Sequence, residues 1–153
     1  MIIYTATKAK LIFISLILTI ISNTSSADGI CDDSENFDDP RNLLNEYVEY
    51  WGNEEYQEMF CMVSNRLRRK TNLEIFEEDF YEYQEKSGLP VEFEIVDLVQ
   101  DLGNKKLWQV SVQFSNKHVG EKQYSVYTEK TGKGWAIGEG PFLTPDKISN
   151  LFQ

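Results

Sequence analysis

The side chain best suited to acid–base chemistry in this sequence is Asp97, which lies within an apolar stretch. On a pattern of period two it is in phase with Ile95 and Val99. Val96 and Leu98 occupy the opposite phase and are apolar as well. A carboxyl group that faces an apolar interior has a raised pKa, which suits it to general-base catalysis. A bulge in the strand would exchange the two faces and turn Asp97 outward, and we favour this outward, structural interpretation.

A second set of candidates consists of aromatic side chains near the end of the first predicted helix. Tyr47, Tyr50 and Trp51 recur at helical spacing. Such residues can line a ligand pocket, although aromatics with this spacing more often fill a core. His118 is the single histidine of the chain, so it makes neither a catalytic triad nor a metal site, and we expect it at a surface turn.

Two charged clusters are candidates for ion binding. The acidic run lacks the Asp-x-Asp-x-Asp-Gly spacing of a calcium loop, so we expect a solvated arm and no metal site. Its members are Asp32, Asp33, Glu35, Asp38 and Asp39. The basic cluster suits the negative end of a helix dipole, with an anion or a partner protein as the alternative. Its members are Arg66, Arg68, Arg69 and Lys70. The sequence has no P-loop, GxSxG, HExxH or CxxC motif, so no cofactor is predicted.

The composition excludes one class of partner. The chain has 153 residues, with 25 Asp and Glu against 15 Lys and Arg, and its net charge is −10. Because binding to phosphate backbones needs a positive surface, nucleic acid is not an expected partner. The length suits a single domain.

Residues 1–27 have the organisation of a secretory signal peptide. Lys8 and Lys10 supply its positive start, residues 11–21 are almost entirely apolar, and small residues precede a cut after Ala27. This apolar run is shorter than the roughly 20 residues of a membrane span, although an uncleaved anchor is the alternative. We therefore predict an exported protein, periplasmic or secreted, with no membrane span after cleavage.

Export places the two cysteines in an oxidising compartment, where a disulfide is the default state. Cys31 and Cys61 would then tie an acidic N-terminal arm, residues 28–39, to the middle of a helix. A reactive thiol is the alternative, but neither cysteine has a CxxC partner or an activating histidine.

Helical periodicity dominates the first half of the remaining chain, and alternation of period two dominates the second half. Three helices are predicted: residues 40–52, a second capped by Asn53 and ending at Lys70, and a third opened by Thr71. Four strands follow, near residues 91–101, 107–115, 123–129 and 135–137, and a last helical turn is predicted at Thr144. In the second strand Trp108, Val110, Val112 and Phe114 should face the core, and Gln109, Ser111, Gln113 and Ser115 should face outward. Residues 40–153 therefore form an α+β domain, with helices on one face of a curved sheet.

The aromatic placement resembles that of a known superfamily. The residues concerned are Tyr47, Tyr50 and Trp51, then Tyr56-x-x-Met59-Phe60, Val63-Ser64, Thr71-x-x-x-Ile75-Phe76 and Gly134-Trp135-Ala136-Ile137. Together they resemble the nuclear transport factor 2-like superfamily, of cystatin-like cone architecture, and most of all its small exported domains in bacterial envelope proteins. The resemblance covers about residues 40–142. It implies three N-terminal helices packed on a curved four-stranded antiparallel meander.

The resemblance implies no specific activity. The superfamily includes isomerases, dehydratases and epoxide hydrolases, together with many members without known chemistry, and its enzymes place Asp, Tyr, His or Arg inside the cone. No Asp-Arg-Asp pattern can be placed there, so no catalytic residue is transferred. We expect an exported non-enzymatic domain that binds a small ligand or an envelope protein. The alternative is a small cone-pocket isomerase, dehydratase or hydrolase that uses Asp97 with a tyrosine, and a secreted factor directed at a host or competitor is a third class.

The polar outer face of the second strand bears on self-association. A stable dimer usually needs a sizeable apolar patch, and the negative net charge repels identical copies. The sequence therefore predicts a monomer or a weak dimer.

Overall fold

Helices occupy the first part of the described chain and strands the second. The computed structural model describes residues 27–31 and 36–139, so the predicted turn at Thr144 and all but the last residue of the predicted signal peptide lie outside it. The helices are α1 (Ala27–Ile30), α2 (Pro40–Gly52), α3 (Tyr56–Met62), α4 (Asn65–Arg68) and α5 (Leu73–Ser87). The strands are β1 (Pro90–Asp101), β2 (Lys105–Phe114), β3 (Glu121–Thr131) and β4 (Gly134–Ile137).

Helix α2 begins where the sequence predicts. The Asp39 carboxylate accepts a hydrogen bond of 2.8 Å from the amide of Arg41, and Pro40 occupies the first helical position. The apolar face has the predicted spacing and is buried against the rest of the molecule. It consists of Leu43, Leu44, Tyr47, Val48 and Trp51.

The predicted second helix is wrong in its extent, because the chain leaves the helix at Val63 and Ser64. Helix α3 ends at Met62, and the one-turn α4 begins at Asn65. Between them the Ser64 amide donates a hydrogen bond of 2.9 Å to the carbonyl oxygen of Ile137, and Val63 forms a parallel bridge with that residue. A pairing made by tertiary structure therefore overrides local helical propensity here.

Two helix caps lie one or two residues beyond their predicted positions. Glu55, rather than Asn53, precedes α3, and its side chain makes no capping hydrogen bond. Asn72, rather than Thr71, caps α5, because its side-chain oxygen accepts a hydrogen bond of 2.8 Å from the amide of Ile75. Thr and Asn are both good capping residues, so the sequence contained two adjacent candidates for this helix start.

The strands form one antiparallel sheet in the order β1-β2-β3-β4, and this confirms the α+β class and the four-stranded antiparallel sheet. Trp108 of β2 lies opposite Val126 of β3, and Thr128 of β3 lies opposite Ile137 of β4. The predicted inward face of β2 is buried: Trp108, Val110, Val112 and Phe114. On the other face Ser115 is exposed as predicted, whereas Ser111 is only 7% exposed because it packs beside Glu121 and donates a hydrogen bond to it.

Strand β1 lies at one edge of the sheet and is irregular. Its pairing with β2 shifts register between Pro90 and Glu92, between Ile95 and Asp97, and between Leu98 and Gln100. Each shift leaves one residue without a partner across the sheet, and these are Val91, Val96 and Val99, all exposed. Bulges of this kind twist an edge strand and hinder its pairing with another chain.

The opposite edge, at β4, is covered by two segments from earlier in the chain. The Trp135 amide donates a hydrogen bond of 2.8 Å to the carbonyl oxygen of Phe37, and Val63 bridges to Ile137 as described above. Gly134 permits this approach, because a Cβ atom there would lie 2.7 Å from the Phe37 carbonyl oxygen. The described end of the acidic arm therefore packs onto the sheet.

The predicted disulfide is present between Cys31 and Cys61, whose Cα atoms are 5.1 Å apart. Two details differ from the sequence-based expectation. Cys61 lies in the last turn of α3, rather than in the middle of a longer helix, and residues 28–30 of the arm belong to the helical turn α1 instead of an extended chain. Within residues 27–31 and 36–139, no helix has the length and apolar character needed to cross a membrane.

Candidate functional site

The structure places Asp97 on the exposed side of the edge strand. It follows the bulge at Val96, and Ile95 and Leu98 on either side are half-buried. The carboxylate therefore faces solvent, as the outward interpretation predicts. The use of Asp97 as a general base stays a prediction of the alternative function.

The three aromatic residues of α2 are divided between core and surface. Tyr47 and Trp51 are 0% and 1% exposed and belong to the hydrophobic core, while Tyr50 is half-buried at its margin. Burial raises the pKa of the Tyr47 hydroxyl well above its ordinary value. A contact between these aromatics and a ligand stays a prediction. His118 is exposed in the turn between β2 and β3, as expected.

Packed aromatic rings lie between the helices and the sheet. The ring centroid of Trp51 lies 5.2 Å from that of Phe80, 5.9 Å from that of Tyr83 and 5.5 Å from that of Phe114. Edge-to-face and tilted contacts at these distances are the preferred geometries of aromatic pairs in cores. The same layer continues through Phe76, whose ring is 4.8 Å from that of Phe80.

Polar groups within this layer bind one another. The hydroxyls of Tyr83 and Tyr124 are 2.6 Å apart, and the indole N–H of Trp108 donates a hydrogen bond of 2.9 Å to the hydroxyl of Thr128. Burial, together with the hydrogen bond to Tyr83, raises the pKa of Tyr124 well above its ordinary value. Both pairs satisfy buried groups, which is the usual role of polar side chains inside a core.

Arg68 belongs to the inside of the fold rather than to a solvated helix end. It is 8% exposed, and its guanidinium donates a hydrogen bond of 3.1 Å to the carbonyl oxygen of Cys61 and another to the side chain of Asn65. Arg68 is therefore not the solvated side chain that the sequence predicts, but its hydrogen bond to a carbonyl in the last turn of α3 keeps its charge at the negative end of a helix.

Arg66 connects α4 to the sheet. Its guanidinium forms ion pairs of 3.0 Å with Glu139 and 3.4 Å with Glu129. The hydrogen bond to Glu139 and the charge of Glu129 raise the pKa of Arg66, and the same hydrogen bond lowers the pKa of Glu139. Arg69 and Lys70, the other members of the cluster, are exposed.

A surface groove of about 340 Å³ lies along the edge of β4, where the arm and the segment after α3 cover the sheet. We call it the arm groove. Its apolar lining consists of Phe37, Met62, Val63, Trp135 and the disulfide at Cys61. Its polar lining includes Ser64, Arg66, Arg68, Glu129 and Lys133.

Ser64 is the unusual member of this lining. It is 3% exposed, and its hydroxyl oxygen has no hydrogen-bond partner among the described residues. It precedes α4, but its side chain makes no capping hydrogen bond. Buried hydroxyls are normally paired, so an unpaired hydroxyl at the wall of a groove is a feature that a ligand or a water molecule can satisfy.

Other surface depressions have a different character. One of about 410 Å³ lies between α2 and the start of β1, and includes Val48, Glu49 and Val91. Another, of about 560 Å³, lies on the outer face of the sheet, where Glu94 and Glu121 make it acidic. In the part of the chain that the structure describes, no group of three His, Cys, Asp or Glu side chains is arranged to hold a metal ion.

Sequence reasoning did not identify the arm groove, because its walls come from three separate segments, residues 36–37, 61–68 and 129–136. One of these segments contains Val63 and Ser64, where the chain leaves the predicted second helix. Pairing of that segment with Ile137, and of Phe37 with Trp135, depends on contacts far apart in the chain.

Comparison with known proteins adds no assignment to these observations: no protein-family model matches the chain, and a search of curated proteins gives no significant match.

Proposed function

We propose that this chain is an exported domain that binds a small ligand or a partner protein at its surface and catalyses no reaction. The observation that carries the proposal is the aromatic packing of the interior, in which Trp51 contacts rings from both α5 and β2. Enzymes of the cone type need an open pocket between helices and sheet, and ligand pockets generally have volumes of about 300–1,000 Å³. The hydroxyls of buried polar pairs, such as Tyr83 and Tyr124, form hydrogen bonds with each other.

The proposed fold is the nuclear transport factor 2-like cone. Its support is a set of helices that precede a four-stranded meander, with the inner face of the sheet buried beneath them. The bulges at Val91, Val96 and Val99 also bend β1, as a curved sheet requires.

Export is part of the same proposal. The Cys31–Cys61 disulfide is consistent with an oxidising compartment, because disulfides rarely persist in the cytosol. The predicted signal peptide, residues 1–27, would direct the chain to export. The exposed surface carries much of the net charge of −10, which suits a protein that stays dispersed outside the cell.

The arm groove is the surface at which we propose that binding occurs. It combines an apolar wall, a buried hydroxyl without a partner and several charged groups within one cavity. Binding sites typically have this composition, with a mostly apolar lining and a few polar groups that fix orientation.

A fragment screen by two-dimensional NMR tests the proposal. The ¹⁵N-labelled chain, from residue 28 onward, is titrated with a small-molecule library, and the shifted backbone amides are mapped. Fragments that bind should shift the amides of residues 62–66 and 133–136 and leave those beside Tyr83 and Phe114 unchanged. Fragments that bind between the helices and the sheet would overturn the proposal and favour the alternative, a cone-pocket enzyme. If the protein converted such a fragment to a product and Asp97→Asn abolished that conversion, the enzyme would be supported further.

A further inference from the structure

The charge of the arm groove is opposite to that of the whole chain. Among the lining residues that the structure describes, Arg66, Arg68 and Lys133 are cationic and Glu129 is the one carboxylate, in a protein whose net charge is −10. Such a local excess of cations attracts an anionic group.

The ion pairs that Arg66 forms with carboxylates indicate which kind of anion the groove would bind. Its guanidinium binds the carboxylates of Glu129 and Glu139, and the latter side chain is 55% exposed. A planar carboxylate from a ligand can replace Glu139 as the acceptor of the hydrogen bond from Arg66. A phosphate with two charges would suffer more repulsion from the nearby Glu129 carboxylate, whose side chain is 20% exposed.

The rest of the ligand follows from the apolar wall and from the size of the cavity. Met62, Val63 and Trp135 are each less than 10% exposed, yet they form part of the groove surface. A cavity of about 340 Å³ lies at the small end of the range for ligand sites, which corresponds to a single amino-acid-sized group. The ligand therefore has a compact apolar body next to its carboxylate.

We infer that the arm groove binds a carboxylate attached to a small apolar group, with Arg66 and Lys133 attracting the charge and the Ser64 hydroxyl donating a hydrogen bond to the ligand. This inference rests on the proposed function and specifies its ligand. Two sources share the chemistry: a free organic acid, and the C-terminal carboxylate of a peptide that ends in an apolar residue. In either case the ligand supplies the hydrogen-bond partner that Ser64 lacks among the described residues.

Matched pairs of probes test the inference by NMR titration of the indole N–H of Trp135. The first pair is 3-phenylpropionate and 3-phenylpropanamide, and the second is the peptide Gly-Gly-Phe with a free or an amidated C-terminus. Each acid should bind at least about tenfold more tightly than its amide, as expected for a charge-assisted hydrogen bond. The tighter of the two acids identifies the source, and tight binding of either one supports the inference.

Variants separate the roles of the groove residues. Arg66→Gln should weaken acid binding about tenfold, whereas the matched control Arg69→Gln, at an exposed residue of the same cluster, should leave it unchanged. Ser64→Ala should weaken binding about threefold to tenfold without lowering the thermal midpoint, because its hydroxyl caps no helix amide. A merely structural serine would instead lower the midpoint and leave binding unchanged.

Two results would overturn the inference, and they differ from failure of the proposed function. If acid and amide bind the groove equally well, the groove is a binding site of other chemistry and the proposed function stands. If Arg66→Gln leaves the affinity of the acids unchanged, the ligand carboxylate does not bind at the Arg66 guanidinium. Probes that bind only between the helices and the sheet would defeat the proposed function itself.

Discussion

At Gly134 the backbone takes a conformation that side chains rarely tolerate. Its φ is +112°, and a Cβ atom would lie 2.7 Å from the carbonyl oxygen and 3.1 Å from the amide nitrogen of Phe37. Both the backbone conformation and the close approach of the arm therefore require glycine. This single residue sets how closely the arm packs on β4, and so it shapes the wall of the arm groove.

The substitution Gly134→Ala should lower the free energy of unfolding by about 1–3 kcal/mol, because it adds backbone strain and a clash with Phe37. Denaturant unfolding measures the change. Gly132→Ala is the matched control, since a Cβ atom there meets nothing within 4 Å. The control should change stability by less than about 0.5 kcal/mol. Equal effects of the two substitutions would contradict the close packing of the arm.

Tyr124 makes the free energy of unfolding depend on pH in the alkaline range. Burial raises the pKa of its hydroxyl in the folded state above the ordinary value of about 10, so the proton leaves the unfolded chain first. The stabilising contribution is complete below about pH 10 and is lost as pH rises above it, by about 1.4 kcal/mol per pH unit for each such group. The unfolding free energy measured between pH 9 and 11 should fall, and Tyr124→Phe should reduce the slope. An unchanged slope in Tyr124→Phe would show that this hydroxyl is hydrated in the folded protein.

Among the elements, those defined by local periodicity could be predicted from the sequence. Helix α2 and strand β2 have one buried face each, and every residue of those faces was identifiable because its neighbours in the chain show the same period. The break at Val63 and Ser64 could not be predicted, since it depends on a pairing with Ile137 that has no local signal. The arm groove escaped prediction for the same reason, whereas the disulfide followed from the cysteine count and the predicted compartment.

The disulfide is the covalent link between the arm and the helical layer. It joins Cys31, the residue after α1, to the last turn of α3 across a sequence separation of 30 residues. Closing a loop of this length in the unfolded chain is worth about 3–4 kcal/mol on the chain-entropy model. Chemical denaturation with and without reductant should differ by about this amount, and thiol labelling of the oxidised, denatured protein should find no free cysteine. Two labelled thiols would contradict the pairing.

At the scale of the whole molecule, the exposed apolar residues lie mainly along one edge of the sheet. Val91, Val96, Val99 and Leu102 are between 49% and 58% exposed, and acidic residues such as Glu94 and Asp97 separate them. The bulges that expose the valines also disturb the hydrogen-bonding edge of β1. These features hinder edge-to-edge pairing of β1 between two copies of the chain, although some apolar surface remains exposed.

We therefore expect a monomer or a weak dimer at micromolar concentration, because the net charge repels identical copies and the apolar residues are dispersed. Sedimentation equilibrium of the chain from residue 28 onward, at physiological salt, measures this directly. A dimer that persists at nanomolar concentration would show that the outer face of the sheet, or the edge at β1, is an interface.

The filled interior is the central claim about the molecule, since it directs binding to the surface. Xenon enters empty apolar cavities and shifts the methyl resonances around them, so methyl NMR under xenon pressure tests the claim. Val110, Val112 and Val126 are each 0% exposed and line the inner face of the sheet. If the interior is filled, xenon should cause no saturable shift at these three valines. Saturable shifts at all three, with one common dissociation constant, would reveal an open pocket beneath the helices and contradict this claim.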